Sequence, residues 1–121
     1  SNEKFEKILS SFTQKFNRRK ITINTDGKLI FLDQSEILFV ESDGNYCSIH
    51  TTLNKKIVVT KKLKEINELL PDEHFFRIHN SFVINLNKIK EFLKSDGYVI
   101  LEDNHKIPVS RQRKSDFLEK F

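Results

Sequence analysis

From Lys20 onward the apolar residues come in short runs rich in β-branched and aromatic side chains, and each run is bounded by turn-forming residues. The runs are Ile21–Thr25, Lys28–Leu32, Ile37–Glu41, Tyr46–Leu53 and Lys56–Val59, followed later by Ile89–Lys94, Tyr98–Leu101 and Lys106–Val109. Each reads as a strand. All three glycines follow an aspartate, at Asp26-Gly27, Asp43-Gly44 and Asp96-Gly97. This dipeptide supplies the positive φ angles of tight hairpins, so each pair is expected to join antiparallel neighbours. Asn54 and Asp103-Asn104 read as two further turns. The pattern predicts a mainly β fold of small antiparallel sheets in a meander, with short peripheral helices.

Helical spacing occurs in two stretches. Phe5, Ile8, Leu9, Phe12 and Phe16 form an apolar stripe over Glu3–Asn17, the mark of an amphipathic leader helix. Leu63, Ile66, Leu69 and Leu70 share one face of a helix expected over Lys61–Leu70, with Thr60 as its cap and Pro71 as its stop. A closing helix is expected over Ser110–Phe121. Phe75–Asn85, with the sequence Phe-Phe-Arg-Ile-His-Asn-Ser-Phe-Val-Ile-Asn, follows neither period and reads as a recognition loop. Its apolar residues would lock it onto a core while Arg77, Asn80 and Ser81 project outward. Those side-chain types touch phosphates and base edges.

The 121 residues suffice for one domain with its own core, and a net charge of +4 with a pI near 9.2 favours a polyanionic partner. Cations cluster where two helices are expected to start, as Lys61, Lys62 and Lys64 and as Arg111, Arg113 and Lys114. Exposed N–H groups and basic side chains at such starts suit phosphate. Cys47 is the single cysteine, which excludes an internal disulfide and a multi-cysteine metal site and favours a reducing cytoplasm. No run approaches the roughly 20 apolar residues of a membrane-spanning helix, so no membrane partner is expected. The chain opens Ser1-Asn2 without an initiating Met, which reads as the scar of a cleaved tag on an excised piece.

Catalysis finds little support. Cys47 and His50 are three apart on an expected strand, hence on opposite faces. No glycine-rich phosphate loop exists, and His74 and His79 have no third metal ligand near them in sequence. The expectation is a non-enzyme without metal or cofactor. An RNA reader would stack unpaired bases on exposed aromatics, but Tyr46 and Tyr98 are too few for a platform, and most of the eleven phenylalanines are needed for a core.

Taken in order, Ile37-Leu38-Phe39-Val40-Glu41-Ser42, the helix ending Leu69-Leu70-Pro71, the segment Phe75–Asn85 and Ile107-Pro108-Val109-Ser110-Arg111 resemble the LytTR family of bacterial DNA-binding domains. The resemblance covers about Lys20–Lys114. It implies a mainly β architecture whose loops and strand ends enter successive major grooves, in place of a recognition helix. It also implies a receiver domain upstream, as in two-component response regulators, so residues 1–18 would be a leader or linker helix and 19–121 the DNA-binding domain.

Carried over by position, Asn80 and Arg111 match base-reading sites: an amide suits adenine and a guanidinium suits guanine. Many members carry a basic residue where Asn80 stands. A third contact zone corresponds to Asn45 and Cys47, although strand alternation also places Cys47 on the side of Ile49 and Leu53. Arg77, Ser81, Gln112 and Lys114 match positions near the phosphate backbone, and Arg113, Lys61 and Lys62 join them as expected phosphate contacts. The implied partner is double-stranded DNA with paired repeats, bound by a homodimer of the full-length cytoplasmic protein, the excised piece being monomeric alone. A β-rich protein-interaction module, its charge serving solubility, stands as the other reading.

Overall fold

The computed structural model describes residues 2–9 and 20–121. Residues 2–9 form helix α1, with Phe5, Ile8 and Leu9 exposed. Phe12 and Phe16 of the expected leader stripe lie outside the described residues.

The turn chemistry sets the hairpins. Strands β1 (Lys20–Thr25) and β2 (Lys28–Asp33) close around Asp26-Gly27, and both residues have positive φ, 51° and 75°, as a type I′ turn requires. Strands β3 (Ile37–Asp43) and β4 (Tyr46–Thr51) close around Gly44-Asn45 with only Gly44 left-handed, at φ 63°, the pattern of a type II′ turn. The chain continues through β5 (Lys56–Val59), α2 (Leu63–Leu69), β6 (Phe75–His79), β7 (Phe82–Asn85), β8 (Ile89–Leu93), β9 (Tyr98–Leu101), β10 (Lys106–Pro108) and α3 (Lys114–Leu118).

Three antiparallel sheets result: β1-β2, β5-β4-β3-β7-β6 and β10-β9-β8. The fold is mainly β, as expected. It departs from a plain meander where β7 docks beside β3.

The five-stranded sheet is covered on both faces. On one, Val40, Cys47, Ile49, Val59, Phe75 and Val83 pack in a single core with Ile21, Ile23 and Leu32 of the first hairpin and Leu63 and Ile66 of α2. On the other, Leu38, Phe39, Ile78 and Ile84 pack with Val99, Leu101 and Ile107 of the third sheet and Phe117 of α3. A strand buried on both sides has no polar face to alternate with, so Ile37, Leu38, Phe39 and Val40 are all buried in succession.

The same coverage corrects the reading of Phe75–Asn85 as a loop. It is the β6–β7 hairpin, and Ile78 forms a bulge between the pairs Arg77↔Val83 and His79↔Phe82. An extra residue in one strand breaks the period of two, which is why no clean alternation was visible.

Two helix boundaries also shift. Lys62, not Thr60, stands at the N-cap of α2 and makes no side-chain capping bond. The Thr60 hydroxyl instead donates to the Asp26 carboxylate (3.1 Å), and its N–H donates to Thr25 Oγ1 (3.1 Å), tying the first hairpin to the end of β5. Residues 111–113 form a turn rather than a first helical turn, with the Arg113 N–H donating to the Ser110 carbonyl (3.2 Å), so α3 starts only at Lys114. Among the described residues no helix is long and apolar enough to cross a membrane.

Candidate nucleic-acid interface

Two backbone hydrogen bonds bring together segments far apart in sequence. The Ser42 N–H donates to the Ser81 carbonyl (2.9 Å), fastening the end of β3 to the β6–β7 turn. The Ser110 N–H donates to the Ile78 carbonyl (3.0 Å), fastening the chain after β10 to the other side of that hairpin. The turn bearing Asn80 therefore stands between the turn bearing Asn45 and the segment bearing Arg111. Asn45, Asn80, Arg111, Gln112 and Lys114 are exposed along this row, and Ser81 is half-buried. Main-chain bonds to packed strands hold each backbone in place, so these side chains project from a fixed base.

The central turn is reinforced from within. Arg77 Nη2 donates to the Asn80 carbonyl (2.9 Å), and the Ser81 N–H donates to His79 Nδ1 (3.1 Å), whose ring packs against Phe82. His79 thus supports the turn. Arg113 Nη1 reaches the Arg77 carbonyl at 3.4 Å. Both arginines are half-buried and spend donors on main-chain oxygens. These bonds brace the row and use one guanidinium donor of each arginine.

Cys47 corrects one expected base contact. It is fully buried in the first core, paired across the sheet with Val59, and has no path to a base edge in this arrangement. Burial pushes its thiol pKa up, opposed by the Arg77 charge and reinforced by Glu65. Strand alternation aligned it with Ile49 and Leu53; Ile49 shares its core, while Leu53 lies exposed in the β4–β5 turn. The residue that sequence reasoning passed over here is Tyr46, which stands 52% exposed beside Asn45. Its position one step from a buried Cys47 was the available signal.

Lys61 and Lys62 follow β5, which ends beside Cys47, so they lie at the same end of the sheet as Asn45. Lys61 pairs with Glu65 at 3.8 Å, while Lys62 is exposed. With seven and five residues, α2 and α3 align too few peptide dipoles to make phosphate sites of their own starts. The positive charge there comes from side chains. No group of three or more His, Cys, Asp or Glu among the described residues is arranged to hold a metal ion.

Comparison with known proteins bears on the family and the fold. The model of the LytTr DNA-binding domain family matches residues 27–121. The sensory transduction protein LytT of Bacillus subtilis is 30% identical over 97 residues, which are 78% of this chain and 40% of that protein. The transcriptional regulatory protein LytR of Staphylococcus aureus strain N315 is 32% identical over 102 residues, 82% of this chain and 41% of that protein. The chain thus spans about two fifths of the length of these relatives. Among solved structures, a LytTr DNA-binding domain from Bacillus cereus superimposes with a TM-score of 0.70 at 23% identity, covering 84% of this chain and 95% of that one. At that identity the likeness speaks for the fold.

Proposed function

This chain belongs to the LytTR family of DNA-binding domains, and on that premise we propose that it binds double-stranded DNA sequence-specifically, as the output domain of a bacterial transcriptional response regulator. The observation that carries the proposal is the row of exposed polar side chains on backbone-pinned turns, with Asn80 flanked by Asn45 and Arg111. An asparagine amide donates and accepts together, which fits adenine N6 and N7; the Arg111 guanidinium fits guanine O6 and N7. Asn45 contributes a third base contact. Ser81, Gln112, Lys114, Lys61 and Lys62 set affinity and register on phosphates, and Arg77 and Arg113 keep the turns in shape. The turns enter successive major grooves, without a cofactor or a catalytic step.

In the same reading residues 1–18 link the domain to a receiver-type domain, and the full-length cytoplasmic protein acts as a homodimer on paired repeats. The test is selection of bound duplexes from a randomised library at near-physiological salt. We expect enrichment of a short motif that is lost when Asn80→Ala and Arg111→Ala are combined. No enrichment by folded protein, even at permissive salt, would overturn sequence-specific binding. Binding that stays flat as salt rises would favour the protein-interaction reading, because neutralised phosphates make affinity fall steeply with salt.

A further inference from the structure

The row of pinned segments does not stop at Arg111. The Val109 N–H donates to the Gly97 carbonyl (2.9 Å), placing the β8–β9 turn directly beside the chain that leads to Arg111. Strand pairing agrees: Leu93 faces Tyr98 across the turn, and Tyr98 faces Pro108, two residues before Ser110. The turn is closed by the Gly97 N–H donating to the Leu93 carbonyl (2.9 Å), with Gly97 left-handed at φ 70°. Lys94, Ser95 and Asp96 are all exposed on it. Four segments therefore stand in order at one end of the sheets, carrying Asn45, Asn80, Arg111 and Lys94.

We propose that the Lys94–Gly97 turn is a fourth DNA-contacting element, in which Lys94 and Ser95 engage a phosphate just outside the base pair read by Arg111. The inference rests on the DNA-binding reading above and extends its footprint by one segment. A lysine ammonium and a serine hydroxyl both donate to phosphate oxygens, and their turn is anchored to the same strand exit that aims Arg111. Asp96 shares the tip and repels the same phosphate. The turn therefore tunes affinity through the balance of its two charges, without reading sequence.

Because a phosphate contact is blind to sequence, it is tested on a short mixed-sequence duplex, comparing the salt dependence of binding among four proteins. Lys90 supplies the control: it lies on β8 toward the opposite end of the same sheet, where its Nζ donates to Asn104 Oδ1 (3.1 Å). Relative to the parent chain, Lys94→Ala is expected to reduce the slope of log affinity against log salt by about 0.9, the contribution of one neutralised phosphate. Lys90→Ala should keep the parent slope, and Asp96→Asn should bind more tightly. A Lys94→Ala slope equal to those of the parent and Lys90→Ala overturns the fourth element and leaves the other three standing. Failure of the parent chain to bind any duplex at low salt overturns the DNA-binding reading itself.

Discussion

Asn80 and Asn85 belong to the same hairpin, one at each end of β7, and their surroundings differ in every respect. Asn85 is 2% exposed, and its Nδ2 donates to the carbonyls of Ile37 (2.9 Å) and Gln34 (3.3 Å) while its Oδ1 accepts the Asn87 N–H (3.0 Å). Its amide is consumed in joining two short turns, Gln34–Glu36 and Leu86–Lys88. Asn80 is exposed, and the bond that Arg77 makes to it goes to the main-chain carbonyl, leaving the amide directed to solvent. Residue type alone therefore does not mark an interface. A polar side chain satisfied in the interior builds the fold, whereas one lifted on a pinned turn is placed to meet a partner.

The sharpest test of this contrast is Asn85→Ala. It removes the buried bond to the Ile37 carbonyl, while the Gln34 carbonyl keeps the Ile37 N–H and the exposed Asn87 N–H can turn to water; at roughly 1 to 3 kcal/mol for one buried unsatisfied group, the expected loss of folding stability is about 2 kcal/mol. Chemical denaturation measures it. DNA affinity of the protein that remains folded should not change. A variant of full stability, or one that loses DNA binding while folded, breaks the division between the two ends.

Asn80→Ala should do the reverse. Stability should stay within about 0.5 kcal/mol, as for exposed positions generally, while binding to the selected motif weakens by about 1 to 3 kcal/mol and discrimination at one base pair relaxes. Equal losses on the motif and on unrelated duplexes would remove Asn80 from the base-reading set.

Arg77 sharpens the comparison because it belongs to both worlds. If it braces the turn, Arg77→Ala costs about 1 kcal/mol of stability and a smaller share of affinity, and Arg77→Lys restores neither, since an ammonium lacks the planar fork that reaches the Asn80 carbonyl. Recovery of affinity by Arg77→Lys, read by titration at several salt concentrations, would return Arg77 to the phosphate contacts.

Much of this division was legible in the sequence because it depends on local chemistry. Asp26-Gly27 closes its hairpin with both residues at positive φ, whereas of Asp43-Gly44 and Asp96-Gly97 only the glycines have it, and Asn54 and Asn104 adopt left-handed φ at 58° and 71° at the positions of the expected turns. Less legible were features that depend on what lies across the sheet. The Ile78 bulge and the covering of both faces made β6 and β7 look like a loop, since period-two alternation assumes one wet face. The bracing bonds of Arg77 and Arg113 were not legible for the related reason that their acceptors, the carbonyls of Asn80 and Arg77, are main-chain atoms that no side-chain pattern announces. Cys47 reads either way from strand alternation, and its burial depends on the first core closing over that face of the sheet.

The smallest expected effect concerns pH and again separates the two ends. His50 lies away from the turn, its ring stacked on Phe39 at 4.1 Å with 9° between planes. Burial lowers its pKa; Glu41, 3.8 Å away, and Asp103 raise it, and His105 and Lys56 add to the lowering. His105 is in turn hydrogen-bonded to the Asp103 carboxylate. Because the folded pKa lies below the ordinary value near 6.5, the unfolded chain binds the His50 proton first as pH falls. Stability is then full above that value, declines as pH drops through it, and stops declining once His50 protonates in the folded state as well. Denaturation midpoints between pH 8 and pH 5 should therefore fall more for the parent chain than for His50→Gln, and the difference isolates His50. Parallel curves for the two proteins would show that His50 does not couple to folding. DNA affinity of folded protein should be the same for both proteins at every pH, because the row of turns begins at the opposite end of β4; a divergence there would mean that the two ends communicate through Phe39 and Phe82, whose rings lie 6.2 Å apart.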